Sequence, residues 1–241
     1  MTLAILNIDW AKKYKSKNHI LKIEASLNKL NPDILIITES VDLNLPAYNF
    51  IYQTKPLPKD QEYEGLNYSD YLNGESANRV TIYSKYQSTN SFDVTDPYTS
   101  ICKQFDTNIG AITIYATIIG TWFKKQPYAE KELMNCSADC MSIYNQTNSL
   151  CLAGDLNTSF EENKKYCEIS NETTKLLKDL CTVCQMDLTT KTLRNNIDHI
   201  FLPKHLVTTY DAIPKIFVEK DVLSDHQGIC LSIHERYPTN I

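Results

Sequence analysis

The chain is 241 residues long, 42% hydrophobic and 22% charged, with a formal net charge of −5 and an isoelectric point near 5.6. That length and apolar content suit one domain over residues 1–241, and the acidic balance excludes a protein coated in positive charge, so a nucleic-acid partner would need a local basic patch. No apolar run reaches the roughly 18 residues of a membrane span, and no secretory leader pattern opens the chain, so the cytoplasm is the expected location, with no obligate protein partner evident.

Fifteen tyrosines and only six glycines favour strands with few glycine hinges. The first predicted strand, Leu3–Ile8, delivers Asn7 and Asp9 at its end. The run from Lys12 to Lys17 follows, suited either to gripping a nucleic-acid backbone or to a solvated loop. In His19–Leu30, Ile20, Ile23, Leu27 and Leu30 recur at helical spacing until Asn31-Pro32 stops the helix. The strand Asp33–Thr38 then ends at Thr38-Glu39-Ser40. Residues Thr54 to Gly74 lack an apolar period and hold Pro56, Pro58, Gly65 and Gly74, the pattern of a long surface loop.

Strands are next expected at Arg79–Ser84 and Ala111–Ile119; Arg79 invites an acid partner. Trp122-Phe123-Lys124-Lys125 follows, able to stack a base or simply pack a loop. After a helix over Tyr128–Tyr144, the run Leu150–Ala153 opens into Gly154-Asp155-Leu156-Asn157. In extended chain Asp155 and Asn157 share a side. A helix over Asn171–Val183 precedes strands at Ile197–Leu202, Ile213–Val218 and Gly228–Ile233. Asn196-Ile197-Asp198-His199-Ile200 opens the first of these, and Ser224-Asp225-His226 precedes the last. His199 faces away from Asp198 by strand alternation. Interleaved helices indicate an α/β protein; turns rather than helices after Ile197 indicate some antiparallel pairing.

The eight cysteines read mainly as buried thiols. Cys151 and Cys230 lie inside apolar runs, and Cys181-Thr-Val-Cys184 has redox or zinc spacing but no second pair and no histidine at matching distance.

Acids and amides at the ends of apolar strands are costly to bury without partners. Gathered in one place, such carboxylates form an all-oxygen site suited to Mg²⁺ or Mn²⁺. Taken singly, Asp155 and Asn157 also suit an ordinary turn. Five segments together carry more: Asn-Ile-Asp (7–9), Pro-Asp-Ile-Leu-Ile-Ile-Thr-Glu (32–39), Gly-Asp-Leu-Asn (154–157), Ile-Asp-His-Ile-Phe (197–201) and Ser-Asp-His (224–226). Their identity and order resemble the endonuclease/exonuclease/phosphatase (DNase I-like) superfamily.

The resemblance implies a four-layer sandwich: two mixed β-sheets face to face, with helices outside. It implies Mg²⁺- or Mn²⁺-dependent hydrolysis of a phosphoester by an in-line water, and the Lys12–Lys17 and Trp122–Lys125 loops favour a phosphodiester of nucleic acid, DNA or RNA, as the expected substrate. Glu39 would be the principal metal ligand, joined by Asn7, Asp225 and, most dispensably, Asp9. Asp155 would orient or deprotonate the water and Asn157 would bind the phosphate. His226 would act on the phosphoryl group as base or positive stabiliser, with Asp198 fixing its tautomer.

One departure stands out. Where the family places a His or Tyr after the strand ending at Thr117, this chain has Ile118. Thr117, Thr121 or a metal-bound water are the available substitutes. Two rival readings follow: a phosphatase or phosphodiesterase for a small molecule or lipid headgroup, which the acidic charge favours, and a non-catalytic binding member, which Ile118 alone favours.

Overall fold

The computed structural model describes residues 1–9, 17–57, 62–63, 66–67, 78–119, 128–161 and 170–236. In chain order the elements are β1 (Thr2–Asn7), α1 (Lys17–Leu30), β2 (Ile34–Thr38), β3 (Phe50–Gln53), β4 (Glu62–Tyr63), β5 (Leu66–Asn67), β6 (Val80–Ser84) and β7 (Ser88–Phe92). They continue with β8 (Ser100–Thr107), β9 (Gly110–Ile118), α2 (Tyr128–Thr147), β10 (Cys151–Asp155), α3 (Ser170–Val183), β11 (Met186–Leu188), β12 (Asp198–Pro203), α4 (Lys204–Thr209), β13 (Tyr210–Val218) and β14 (Gly228–Glu235).

Two six-stranded sheets hold all of these strands except the β4–β5 hairpin. One runs β13-β14-β1-β2-β6-β3 and the other β11-β12-β10-β9-β8-β7. Each has the same pairing sequence across its width: two antiparallel pairs, one parallel pair, then two antiparallel pairs. The parallel pairs are β1–β2 and β9–β10. A parallel pair needs a crossover, and α1 and α2 make these two.

Side-chain alternation explains the layers. Leu3, Ile5, Ile34 and Ile36 of the first sheet meet Ile114, Ala116, Ile118, Ala153, Ile200 and Leu202 of the second in one buried core between the sheets. The opposite parity of the first sheet, Ala4, Leu6, Leu35 and Ile37, packs on Ile23 and Leu27 of α1. The second sheet turns Tyr115, Leu152 and Phe201 toward Leu133 and Cys136 of α2 and Leu177 and Leu180 of α3. Burying each Leu or Ile contributes roughly 1.5–3 kcal/mol. The expected four-layer sandwich of two mixed sheets is the observed architecture.

The central strands are apolar on both faces because both faces are covered, which is why continuous apolar runs announce them. Helix α1 ends as its sequence predicts: Asn31 turns into the left-handed region at φ 48°, and its N–H bonds to the Leu27 carbonyl at 2.8 Å. Strands β3, β7, β8 and β11 carry no such run. Phe50–Gln53 and Ser88–Phe92 lie at sheet edges, the first exposing alternate residues and the second its three central ones, so their sequences mix polar and apolar groups. The chain after Ile197 is not joined by turns alone, since the short helix α4 links β12 to β13. The antiparallel pairing expected there is present in β13–β14 and β14–β1. Of the expected loop over Thr54–Gly74, the structure describes residues 54–57 and the β4–β5 hairpin.

A candidate metal-assisted hydrolytic site

The inward parity that builds the core also builds a polar layer at its end. Leu3 and Ile5 lead to Asn7, Ile34 and Ile36 lead to Thr38, and Cys151 and Ala153 lead to Asp155. Asp198 precedes Ile200 and Leu202 on the same face of β12. Asn7, Thr38, Asp155 and Asp198 are each at most 1% exposed. Asn7 ties the sheets together: its Nδ2 donates to Asp155 Oδ2 at 2.9 Å. Its Oδ1 accepts the Asp9 N–H at 2.8 Å, holding Asp9 at φ 43° beside it.

Asp155 owes its position to the residue before it. Gly154 sits at φ 143°, and a Cβ there would lie 1.9 Å from the Thr117 carbonyl oxygen. Only glycine lets β10 approach β9 so closely. Asp155 Oδ1 accepts the Asn157 N–H at 2.9 Å, and Asn157 Nδ2 donates to the Ile119 carbonyl at 2.9 Å. The strand stops at Asp155 and Asn157 adopts φ 46°, so the amide reaches its place through a left-handed turn rather than by plain strand alternation.

Asp198 and His226 form the second half of the site. His226 Nδ1 donates to Asp198 Oδ2 at 2.7 Å. Asn196 brackets Asp198, its Oδ1 accepting the Asp198 N–H at 3.3 Å and its Nδ2 donating to the Asp198 carbonyl. Ser224 Oγ accepts the His226 N–H at 3.2 Å. One ligand atom from each of Asp155, Asp198 and His226 lies within 4.8 Å of the others.

In the metal-free site these groups set each other's charge. Burial lowers the affinity of His226 for a proton, but Asp198 and Asp155 outweigh it, aided by the Asp198 hydrogen bond and Asp225, and raise its pKa to about 10. Burial raises Asp155 to about 7 against the opposing charge of His226, with Asp198 and Glu39 adding to the rise.

Glu39 adopts φ 48°, with its N–H on the Arg79 carbonyl at 2.8 Å. Burial pushes its carboxyl up; His226 lowers it, Asp9 raises it, Arg79 lowers it and Asp225 raises it. Those influences put Asp9, Asp225, Arg79 and His226 in the electrostatic surroundings of Glu39. Arg79 Nη1 reaches Glu132 Oε1 at 2.8 Å, a buried ion pair between the start of β6 and α2. The acid partner expected for Arg79 is thus Glu132. The donor set fits a hard divalent cation: crowded carboxylates and an amide, with the buried Asp198 Oδ1 meeting no hydrogen-bond partner among the described residues.

His199 faces the other way, as alternation requires. Its Nδ1 shares a hydrogen with Thr190 Oγ1 at 2.9 Å, its Nε2 lies 2.9 Å from the Thr158 carbonyl, and Phe160 stacks edge-on against it. Ile118 is fully buried beside Asp155 in the β9–β10 register. Cys181 and Cys184 are free thiols, and burial raises both. Lys12–Lys15 and Trp122–Lys125 lie outside the described residues. Arg79, Asn196 and Ser224 hold Glu39, Asp198 and His226 through hydrogen bonds without having been given a role from sequence. Asn196 and Ser224 each stand two residues before a site residue, which is the spacing of a side chain that caps its own turn.

The sequence profile described as the Endonuclease/Exonuclease/phosphatase family matches residues 5–226. Comparison with curated proteins gave no match. Among solved structures, a 3'-5' exonuclease from Neisseria meningitidis is similar with a TM-score of 0.63 at 14% identity, over 97% of this chain and 100% of that one. D. rerio TDP2, humanised by 14 mutations, is similar with a TM-score of 0.66 at 12% identity, over 97% and 98% of the two chains. The endonuclease domain of TRAS1, a telomere-specific non-LTR retrotransposon, is similar with a TM-score of 0.63 at 10% identity, over 98% and 99%. The chain belongs to the endonuclease/exonuclease/phosphatase family.

Proposed function

We propose that this member of the family is a divalent-metal-dependent phosphodiesterase that hydrolyses nucleic acid by in-line attack of water. The observation that carries the reading is the buried group of Asp155, Asp198 and His226, with ligand atoms within 4.8 Å of one another. Glu39, Asn7, Asp9 and Asp225 would hold Mg²⁺ or Mn²⁺, which when bound stabilises charge on the phosphoryl and leaving oxygens.

The chain's own groups then divide the work. Asp155, near 7, exchanges a proton with water in the neutral range and is the group that orients and deprotonates the nucleophile. His226, kept protonated by Asp198, presents positive charge to the phosphoryl oxygens. This favours the stabiliser role for the imidazole over the base role. Asn157 meets the phosphate with an amide whose orientation the bond to Ile119 fixes.

Nucleic acid as substrate is supported by the similar structures, which include an exonuclease and an endonuclease domain. A small phosphoester is the second reading, favoured by the net charge of −5. The test is purified protein with Mg²⁺ or Mn²⁺ against plasmid, single-stranded DNA, RNA and small phosphoesters. Polymer cleavage abolished by EDTA and by Asp155→Asn is the expected result. Turnover confined to small substrates would establish the second reading, and binding without turnover would overturn both.

A further inference from the structure

One rung of the first sheet contains an unanswered hydroxyl. Thr38 is the register partner of Asn7 across β1–β2, and it is 1% exposed. Its Oγ1 meets no hydrogen-bond partner among the described residues. Thr38 continues the inward parity of Ile34 and Ile36, so its side chain belongs to the polar layer between the sheets and not to the α1 side. A buried hydroxyl left unpaired is costly, and a valine of the same shape would carry no such cost.

Two further oxygens of the same layer are in the same condition. Asp198 Oδ1 belongs to β12 of the opposite sheet, and Gln227 Oε1 belongs to the residue just before β14, two residues from the Ile229 that pairs with Ile5. Asp198 Oδ1 is purely an acceptor and can be satisfied only by a donor. A divalent ion that keeps part of its hydration shell supplies strongly polarised O–H donors at such a place.

Resting on the metal-dependent reading above, we infer that Thr38 is a positioning residue whose hydroxyl holds a water of the bound divalent ion beside Asn7 and Glu39. Its role differs from that of Glu39, which would ligate the ion itself.

The experiment is calorimetric titration of Mn²⁺ into wild type, Thr38→Val, Thr38→Ser and Glu39→Ala, together with the melting temperature of each in EDTA. Loss of a group that orients metal-bound water weakens binding by roughly tenfold. Thr38→Val is expected to show that loss while melting at or above wild type without metal, and Thr38→Ser is expected to restore binding. Thr38→Ala reads the same loss if the valine disturbs packing. Thr38→Val binding Mn²⁺ as tightly as wild type, while Glu39→Ala does not, would overturn this inference alone. So would a binding loss matched by an equal loss of metal-free stability in both the Val and Ser variants. Absence of Mn²⁺ binding by wild type would overturn the metal reading itself.

Discussion

His226 Nδ1 and Asp198 Oδ2 lie 2.7 Å apart, and this contact sets both the charge and the direction of the imidazole. The two residues stand 28 positions apart in sequence, Asp198 opening β12 of one sheet and His226 in the segment just before β14 of the other, so the contact exists only when the sheets are docked.

Replacing Asp198 by Asn removes the largest charge and the hydrogen bond that raise His226, leaving only Asp155 and Asp225 to oppose burial. The imidazole pKa is expected to fall from about 10 in the metal-free protein toward or below its ordinary value. In wild type a folded pKa above the unfolded one stabilises the protein fully below about pH 6.5, and the gain is lost as pH rises through about 10. Imidazole titration followed by NMR checks this. An Asp198→Asn protein still protonated at pH 9 would refute the assigned cause. Turnover is expected to fall by roughly 10²–10⁴-fold.

Glu39 and His226 are expected to fail differently. Glu39→Ala raises the Mg²⁺ needed for half-maximal activity by at least about tenfold. His226→Ala lowers the maximal rate by roughly 10²–10⁴-fold with little change in the metal requirement. Titrating Mg²⁺ at saturating substrate separates them, and equal metal dependence in both variants would contradict the division of roles.

Gly154→Ala places a methyl group against the Thr117 carbonyl at the β9–β10 parallel pair. The strands must part or shift register beside Asp155, and the added φ strain compounds the clash. A loss of about 3 kcal/mol or more is expected in urea denaturation. An alanine variant with wild-type stability and activity would show that the close approach has no role.

His199 supplies a pH dependence of opposite sign to that of His226. Burial lowers its pKa to about 4, against the partial opposition of the Thr158 carbonyl and Asp198. The unfolded chain therefore binds a proton below about pH 6.5 while the folded chain does not until about pH 4. Stability contributed at neutral pH is lost across that window, by roughly 3 kcal/mol in total. The difference in denaturation free energy between wild type and His199→Gln, followed from pH 7 to pH 4, isolates this effect. A constant difference across that range would disprove it.

Much of the site was legible because its residues terminate strands buried on both faces. An apolar run of four residues leading to Asn7, Glu39 or Asp155 announces both the strand and the group it delivers. The edge strands β3 and β7 and the mixed-polarity β8 were not legible, since an exposed alternate face dilutes the pattern. Thr38 was passed over because a threonine inside a β-branched run reads as strand propensity. Its meaning comes from the rung it shares with Asn7 and the sheet it faces, which depend on register. Asn157 was placed near the site but by the wrong geometry, because a positive φ has no signature in spacing alone.

The tie between Asn7 and Asp155 spans 148 positions, and His226 arrives later still, just before a strand that zips against β1. A growing polypeptide therefore gathers these residues only after β14 has been made and has paired with β1. Assembly of the site thus waits on closure of the β13–β14 hairpin against β1.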